Sequence, residues 1–370
     1  MRRNLTVAAA LVDLDPTASV LVATSTEEAD RFGLPPRVDI LKLPGLRKVD
    51  NDHYAAKRLS VPWRDIRAVR TQLLTAAVES FRPDVVLADK HPIGVDGEFE
   101  PALAEARATG ARAALGCRDV LDEPAAVRHE WEDRGLFERI GEYYDRVLVY
   151  GQPDVLDPRR EYGFPEAVSA MTRFCGYVVS PTVPRTANGQ IHGRPRVLAT
   201  AGGGEDGAAL LATFVVAAAR AGWEAGVVSG PQCPRGRTLR RLAAKAGVSF
   251  RRFVPELTSE FASLDALVCM GGYNTLAEAA ACGVRTICVP RVWPRREQLI
   301  RADAFARRGL IRLLEPDRLD PAALNTEVES ALDAPGPPGG EAEGALDLDG
   351  APRAAHEVLE LAARATVAEG

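Results

Sequence analysis

Short apolar runs alternate with amphipathic stretches through the second half of the chain. Residues 266–270 (A-L-V-C-M) are continuously apolar, as in a strand buried on both faces. Gly271 and Gly272 follow, and a helical pattern begins at Asn274 or Thr275, residue types that cap helices. Glu278 is expected in the first turn, where the helix dipole favours an acid. Gly283 stops this helix, residues 286–289 predict a second buried strand ended by Pro290, and residues 296–308 predict a helix closed by Gly309. The same alternation gives strands at 196–201, 225–229, 250–254 and 311–314, and helices at 206–221, 237–246 and 321–332. It predicts a parallel sheet covered on both faces.

The first half is patterned less cleanly. Helices are predicted over 2–14, 63–81, 101–109 and 125–144, and strands over 20–23, 38–43, 84–88, 111–115 and 146–150. The class is therefore α/β, with two Rossmann-like doubly wound domains facing a cleft. The expected boundaries are 1–178 for the first domain and 196–333 for the second, with a linker rich in Pro, Thr, Gly and Ser at 179–195. Residues 334–352 are low-complexity, and 353–370 return to helix. Ligands of such sheets sit outside the carboxyl ends of the strands, where the glycine turns and polar loops of this chain fall.

Composition narrows the function. A chain of 370 residues is long enough for two cores. A net charge of −5 argues against a nucleic-acid partner held by bulk electrostatics. No apolar run approaches membrane-spanning length, and no cleavage site follows the basic start. The six cysteines form no C-x-x-C pair and read as reduced, buried thiols of a cytoplasmic protein. The five histidines are scattered, no D-x-D ends a strand, and neither a metal nor a cofactor is expected.

The candidate chemistry lies in loops. A strand, the Gly271-Gly272 pair and a helix start can hold a phosphate, and Glu278 lies within reach of a ribose hydroxyl; a tight turn of any α/β protein reads the same way. Gly202, Gly203 and Gly204 form a second such turn. Arg291, Arg295 and Arg296 can neutralise charge on a leaving group or remain solvated. In the first half, the loops 89–94 and 116–122 offer His91 and Asp119 as general bases, against ordinary exposure for His91 and loop capping for Asp119.

The run G-G-Y-N-T-L-A-E-A-A-A-C-G-V, then V-P-R, then R-E-Q-L-I-R-A, resembles the donor half of GT-B glycosyltransferases, in the branch of the peptidoglycan N-acetylglucosaminyltransferase. The resemblance implies that Gly271, Gly272, Tyr273, Asn274 and Thr275 hold a nucleotide diphosphate and that Glu278 binds the ribose. It implies that Gly202, Gly203 and Gly204 border the diphosphate, and that Phe253 and Val254 bond the base through their backbone. Arg291 would sit near the diphosphate, and Glu297 and Gln298 would reach the donor sugar. The implied reaction moves a sugar from a nucleotide-diphosphate sugar, UDP preferred, to a small-molecule or glycoconjugate acceptor, with inversion and without metal. Peripheral membrane contact and a C-terminal helix crossing back onto the first domain are also implied. The family's opening strand and its glycine loop ending in Gly-His are absent: Met1-Arg2-Arg3-Asn4-Leu5 resembles the helix that follows them. The first domain is therefore expected to lack its first strand, and an upstream extension carrying that strand is expected. A nucleotide-sugar hydrolase or 2-epimerase, and a non-catalytic nucleotide-sugar-binding partner, are the alternatives.

Overall fold

A computed structural model describes residues 1–27, 29–49, 54–180, 193–334, 337 and 344–368. The first half runs α1 (Arg2–Leu14), β1 (Val20–Thr24), β2 (Val38–Lys42), β3 (Leu46–Lys48), β4 (Tyr54–Ala56), α2 (Trp63–Phe81), β5 (Val85–Asp89), α3 (Glu100–Ala108), β6 (Arg112–Arg118), α4 (Pro124–Asp133), α5 (Leu136–Tyr143), β7 (Arg146–Tyr150), α6 (Pro158–Glu161), α7 (Glu166–Ala170) and β8 (Thr172–Phe174). The second runs β9 (Arg196–Thr200), α8 (Ala208–Ala218), β10 (Glu224–Val228), α9 (Gly236–Lys245), β11 (Ser249–Arg251), α10 (Thr258–Phe261), β12 (Ala266–Cys269), α11 (Tyr273–Cys282), β13 (Arg285–Cys288), α12 (Glu297–Arg307), β14 (Arg312–Leu313), α13 (Pro321–Asp333) and α14 (Gly350–Ala368).

The second half holds one six-stranded parallel sheet in the order β11-β10-β9-β12-β13-β14. Alternate residues of its central strands feed different cores. Leu198 and Leu267 pack with Leu276 and Phe305 on one face, while Val197, Ala199 and Val268 pack with Phe214 and Val328 on the other. Burial on both faces is why these strands read as unbroken apolar runs.

The first half does not form one sheet. β5-β6-β7-β8 is a four-stranded parallel sheet, β1 and β2 form a separate parallel pair, and β3 and β4 form an antiparallel hairpin. Among the described residues β1 pairs only with β2, and β5 only with β6, so each has one edge without a partner strand. The break falls between β1 and β5, where a doubly wound sheet carries its first strand.

Several sequence expectations need correction. The helix expected over 125–144 is two helices, α4 and α5, because Gly135 takes φ +57° between them. β6 extends to Arg118, since Gly116 lets the ring of Tyr150 lie against the strand: a Cβ there would stand 2.6 Å from the tyrosine oxygen. Val179, expected in the linker, is buried beside Val178, which bridges to Asp349; most of the linker, 181–192, lies outside the described residues. Of the low-complexity segment, Asp347 is docked, accepting from the Tyr177 N–H at 2.6 Å, whereas 335–336 and 338–343 lie outside the described residues.

Two contacts join the ends and the halves. α14 packs along α1 and against β5 and β6, and Arg146 of β7 donates to Glu357 and, at 2.8 Å, to Glu360. Between the halves, Arg301 of α12 meets Asp119, the residue after β6, in a fully buried bidentate pair at 2.7 and 2.8 Å. Tyr177 adds a hydroxyl donor to Asp119 at 3.0 Å. Among the described residues no helix is long and apolar enough to cross a membrane.

Breaking a buried ion pair strands the surviving charge, so Arg301→Met or Asp119→Leu alone should each cost about 3–5 kcal/mol. The double variant should recover most of that loss. Urea unfolding of the three variants checks this; single variants with the parent midpoint would show that the pair does not tie the halves.

Candidate active site

The α11 turn carries the site's main polarity. Gly272 is the N-cap, at φ −63° and ψ 141°, and no side chain caps the helix. The cap is therefore neither Asn274 nor Thr275, and Glu278 lies beyond the first turn. The amides of Tyr273, Asn274 and Thr275 have no intrahelical acceptor, which leaves the positive end of the helix open. Gly271 makes the turn possible. It takes φ +83°, and a Cβ there would stand 3.0 Å from Cys288 Sγ and 3.2 Å from the Gln298 carbonyl. Its own carbonyl accepts from Arg301 Nη1 at 3.1 Å. The arginine that grips Asp119 thus also fixes this turn.

The helix end opens on a cleft of about 550 Å³ between the halves, within the range of small-molecule sites. From the second half it is lined by Gly202, Gly203, Phe253, Val254, Gly272, Tyr273, Asn274, Thr275 and Glu278. The structure therefore gathers at one place three of the loops singled out in the sequence, although β9, β11 and β12 are separated by more than a helix each in the chain. The first half contributes Arg2, Thr26, Glu27, Phe32, Lys57 and Arg118. Phe32 meets Phe253 edge-on, ring centroids 6.4 Å apart, across the cleft mouth.

Glu278 is buried. Its Oε2 accepts from Arg2 at 3.1 Å and from Thr258 Oγ1 at 2.9 Å, and no described residue bonds Oε1. Burial pushes the carboxyl's pKa up, against the opposing pull of Arg2 and Thr258. Tyr273 is a hinge contact: its hydroxyl accepts from the Val178 N–H at 3.0 Å and its ring stacks on Tyr177.

Other expected residues do not reach the cleft. Gly204 lies behind the turn, where a Cβ would collide with the Ser229 carbonyl. Arg291 is held by Asp206 at 2.9 Å and by Glu297, while its amide donates to Gln298 Oε1 at 3.0 Å. This loop is folded on itself. Arg295 and Arg296 turn to Asp122 and Glu123 of the first half. His91 lines a separate pocket of about 190 Å³ with Tyr54, Asp96, Glu130 and Arg295. Burial and the neighbouring Lys90 and Arg295 push its imidazole down to about 3. Asp119 is wholly enclosed by Arg301, Tyr177 and its own loop, so it joins the halves and faces no substrate. Sequence reasoning missed Arg118, although it stands next to Asp119 in a loop already singled out. It missed Glu27, Phe32 and Lys57 because nothing local distinguishes them.

No family model matches the chain. The chain is 30% identical over 291 residues to the Halorhodospira halophila UDP-N-acetylglucosamine–N-acetylmuramyl-(pentapeptide) pyrophosphoryl-undecaprenol N-acetylglucosamine transferase, across 74% of this chain and 70% of that one. Its structure is similar to Acinetobacter baumannii MurG, with TM-score 0.54 and 14% identity over 98% of this chain and 90% of that one. It is also similar to a putative UDP-N-acetylglucosamine 2-epimerase from Listeria monocytogenes, with TM-score 0.62 and 13% identity over 100% and 95%. Both likenesses establish the GT-B fold. Identity and coverage together show that the chain belongs to the MurG-like family of glycosyltransferases.

The two glycines of the turn should separate by substitution. Gly272→Ala adds a Cβ with nothing within 4 Å, so the parent melting temperature should be kept while an anion is obstructed. Gly271→Ala forces an L residue to φ +83° against Cys288 and should lose about 1–2 kcal/mol or more. Thermal melting together with calorimetric titration of a nucleoside diphosphate measures both. Equal stability and equal binding in the two variants would contradict this description of the turn.

Proposed function

We propose that the chain transfers a sugar from a UDP-sugar to a small-molecule or glycoconjugate acceptor, with inversion and without a metal. The observation that carries this is the convergence, in one cleft, of an uncapped helix start, the Gly202-Gly203 turn, the Phe253-Val254 loop and a buried glutamate. An uncapped helix start supplies the charge that a diphosphate leaving group needs as the glycosidic bond breaks. Glu278 Oε1 is the acceptor for a ribose hydroxyl. The backbone of Phe253 and Val254 lies at the cleft edge where a uracil would pair, and the relative named above takes UDP-N-acetylglucosamine.

The acceptor approaches from the first half. The carboxylate that the described residues of that half bring to the cleft is Glu27, and on this reading it takes the proton of the acceptor hydroxyl. Against desolvation, Lys57 at 3.4 Å and Arg58 at 3.1 Å hold its carboxyl below the usual range, so it is ionised at neutral pH. His91 and Asp119 are set aside for this role because neither lines the cleft.

Titration calorimetry with UDP is expected to show binding by the full chain, with Glu278→Ala about ten- to a hundredfold weaker. A folded variant with unchanged affinity would remove the ribose assignment. Incubation with UDP-N-acetylglucosamine alone should give slow release of UDP that accelerates when an acceptor is supplied, and Glu27→Gln should lower that acceleration about a hundredfold. Fast donor turnover without acceptor would favour a hydrolase or epimerase, and binding without any turnover a non-catalytic role.

A further inference from the structure

The charges at the junction of the halves pair off with one exception. Arg2 is matched by Glu278 at 3.1 Å, Arg3 by Asp89 at 2.5 Å and Arg301 by Asp119 at 2.7 Å. Arg118, the last residue of β6, lines the same cleft and has no ion pair or hydrogen bond among the described residues. Its Nε is enclosed without an acceptor, so the side chain is not simply solvated, and the rest of the guanidinium can be satisfied only from the cleft. Burial, the nearby Arg3 and Arg301 hold its pKa below the ordinary arginine value, in spite of Asp89 and Asp119. Lys90, at the end of the neighbouring strand, also lacks a partner, and burial with Arg295 and Arg118 brings it down to about 8. Buried cations without counter-charges are costly, and an incoming anion removes that cost.

We propose that Arg118 is a specificity residue for the acceptor: it receives a phosphate or carboxylate oxygen of the acceptor, so the enzyme prefers an anionic acceptor to a neutral one. The inference rests on the glycosyltransferase reading above. Arg118 is assigned to the acceptor and not to the donor diphosphate because it comes from the first half. The glycine turns and free amides of α11 already face the diphosphate from the second. The planar guanidinium suits a two-oxygen contact with either kind of anion.

The test uses the full chain with Arg118→Gln and Arg118→Lys, each first shown to melt like the parent. Two probes are titrated calorimetrically: UDP, and inorganic pyrophosphate added with and without saturating UDP. The expected result is UDP affinity within threefold in all three proteins and pyrophosphate binding to the UDP-saturated parent. Arg118→Gln should then weaken pyrophosphate tenfold or more, and Arg118→Lys should retain part of it. A tenfold loss of UDP affinity in Arg118→Gln would overturn the proposal by giving Arg118 to the donor diphosphate. Pyrophosphate binding that is absent from the parent, or equal in Arg118→Gln, would also overturn it. A parent blind to UDP would instead sink the donor reading, and the pyrophosphate titration without UDP would still decide whether Arg118 holds an anion.

Discussion

One buried ion pair sets the geometry on which the rest depends. Arg301 reaches Asp119 with two nitrogens, the Val120 carbonyl at 3.3 Å and the Gly271 carbonyl at 3.1 Å. A single guanidinium thereby holds the loop after β6 in one half and the turn before α11 in the other. A buried pair of this kind returns little net stability, because desolvation offsets the attraction. Its consequence is positional. Asp119, turned inward to Arg301, leaves its neighbour Arg118 toward the cleft, and Gly271, held by its carbonyl, leaves the amides of α11 open.

The second half was legible because its chemistry is local. A parallel sheet buried on both faces writes continuous apolar runs, and a strand, a glycine pair and a helix start sit next to one another in the chain. Elements there departed from expectation by a residue or two, and the helix start moved from Asn274 to Tyr273 because a glycine, not a side chain, occupies the cap. The first half was less legible for a physical reason. Its strands β1 and β5 each lack a partner on one edge and are only half-buried, so their apolar pattern is weak.

Site residues were legible only where their partners are near in sequence. Asp119 looked like a free acid at a strand end because its partner lies 182 residues away, and the Arg2 contact of Glu278 spans 276. His91 looked exposed, yet burial and neighbouring cations keep it neutral in a pocket of its own. Arg291, Glu297 and Gln298, which the resemblance directs to donor diphosphate and sugar, bond one another beside the cleft. Sequence marks which residues can bind an anion; tertiary pairing decides which of them are free to do so.

The central claim is that the open first turn of α11, fixed through Gly271 by Arg301, is where the donor diphosphate binds. Hydrogen–deuterium exchange with and without UDP reads this directly, since a bound phosphate shields the amides it engages. Protection concentrated at residues 272–276, with a second patch at Phe253 and Val254, is the result the account predicts. Protection confined to the loops around His91, with the amides of the α11 turn exchanging unchanged, would contradict it.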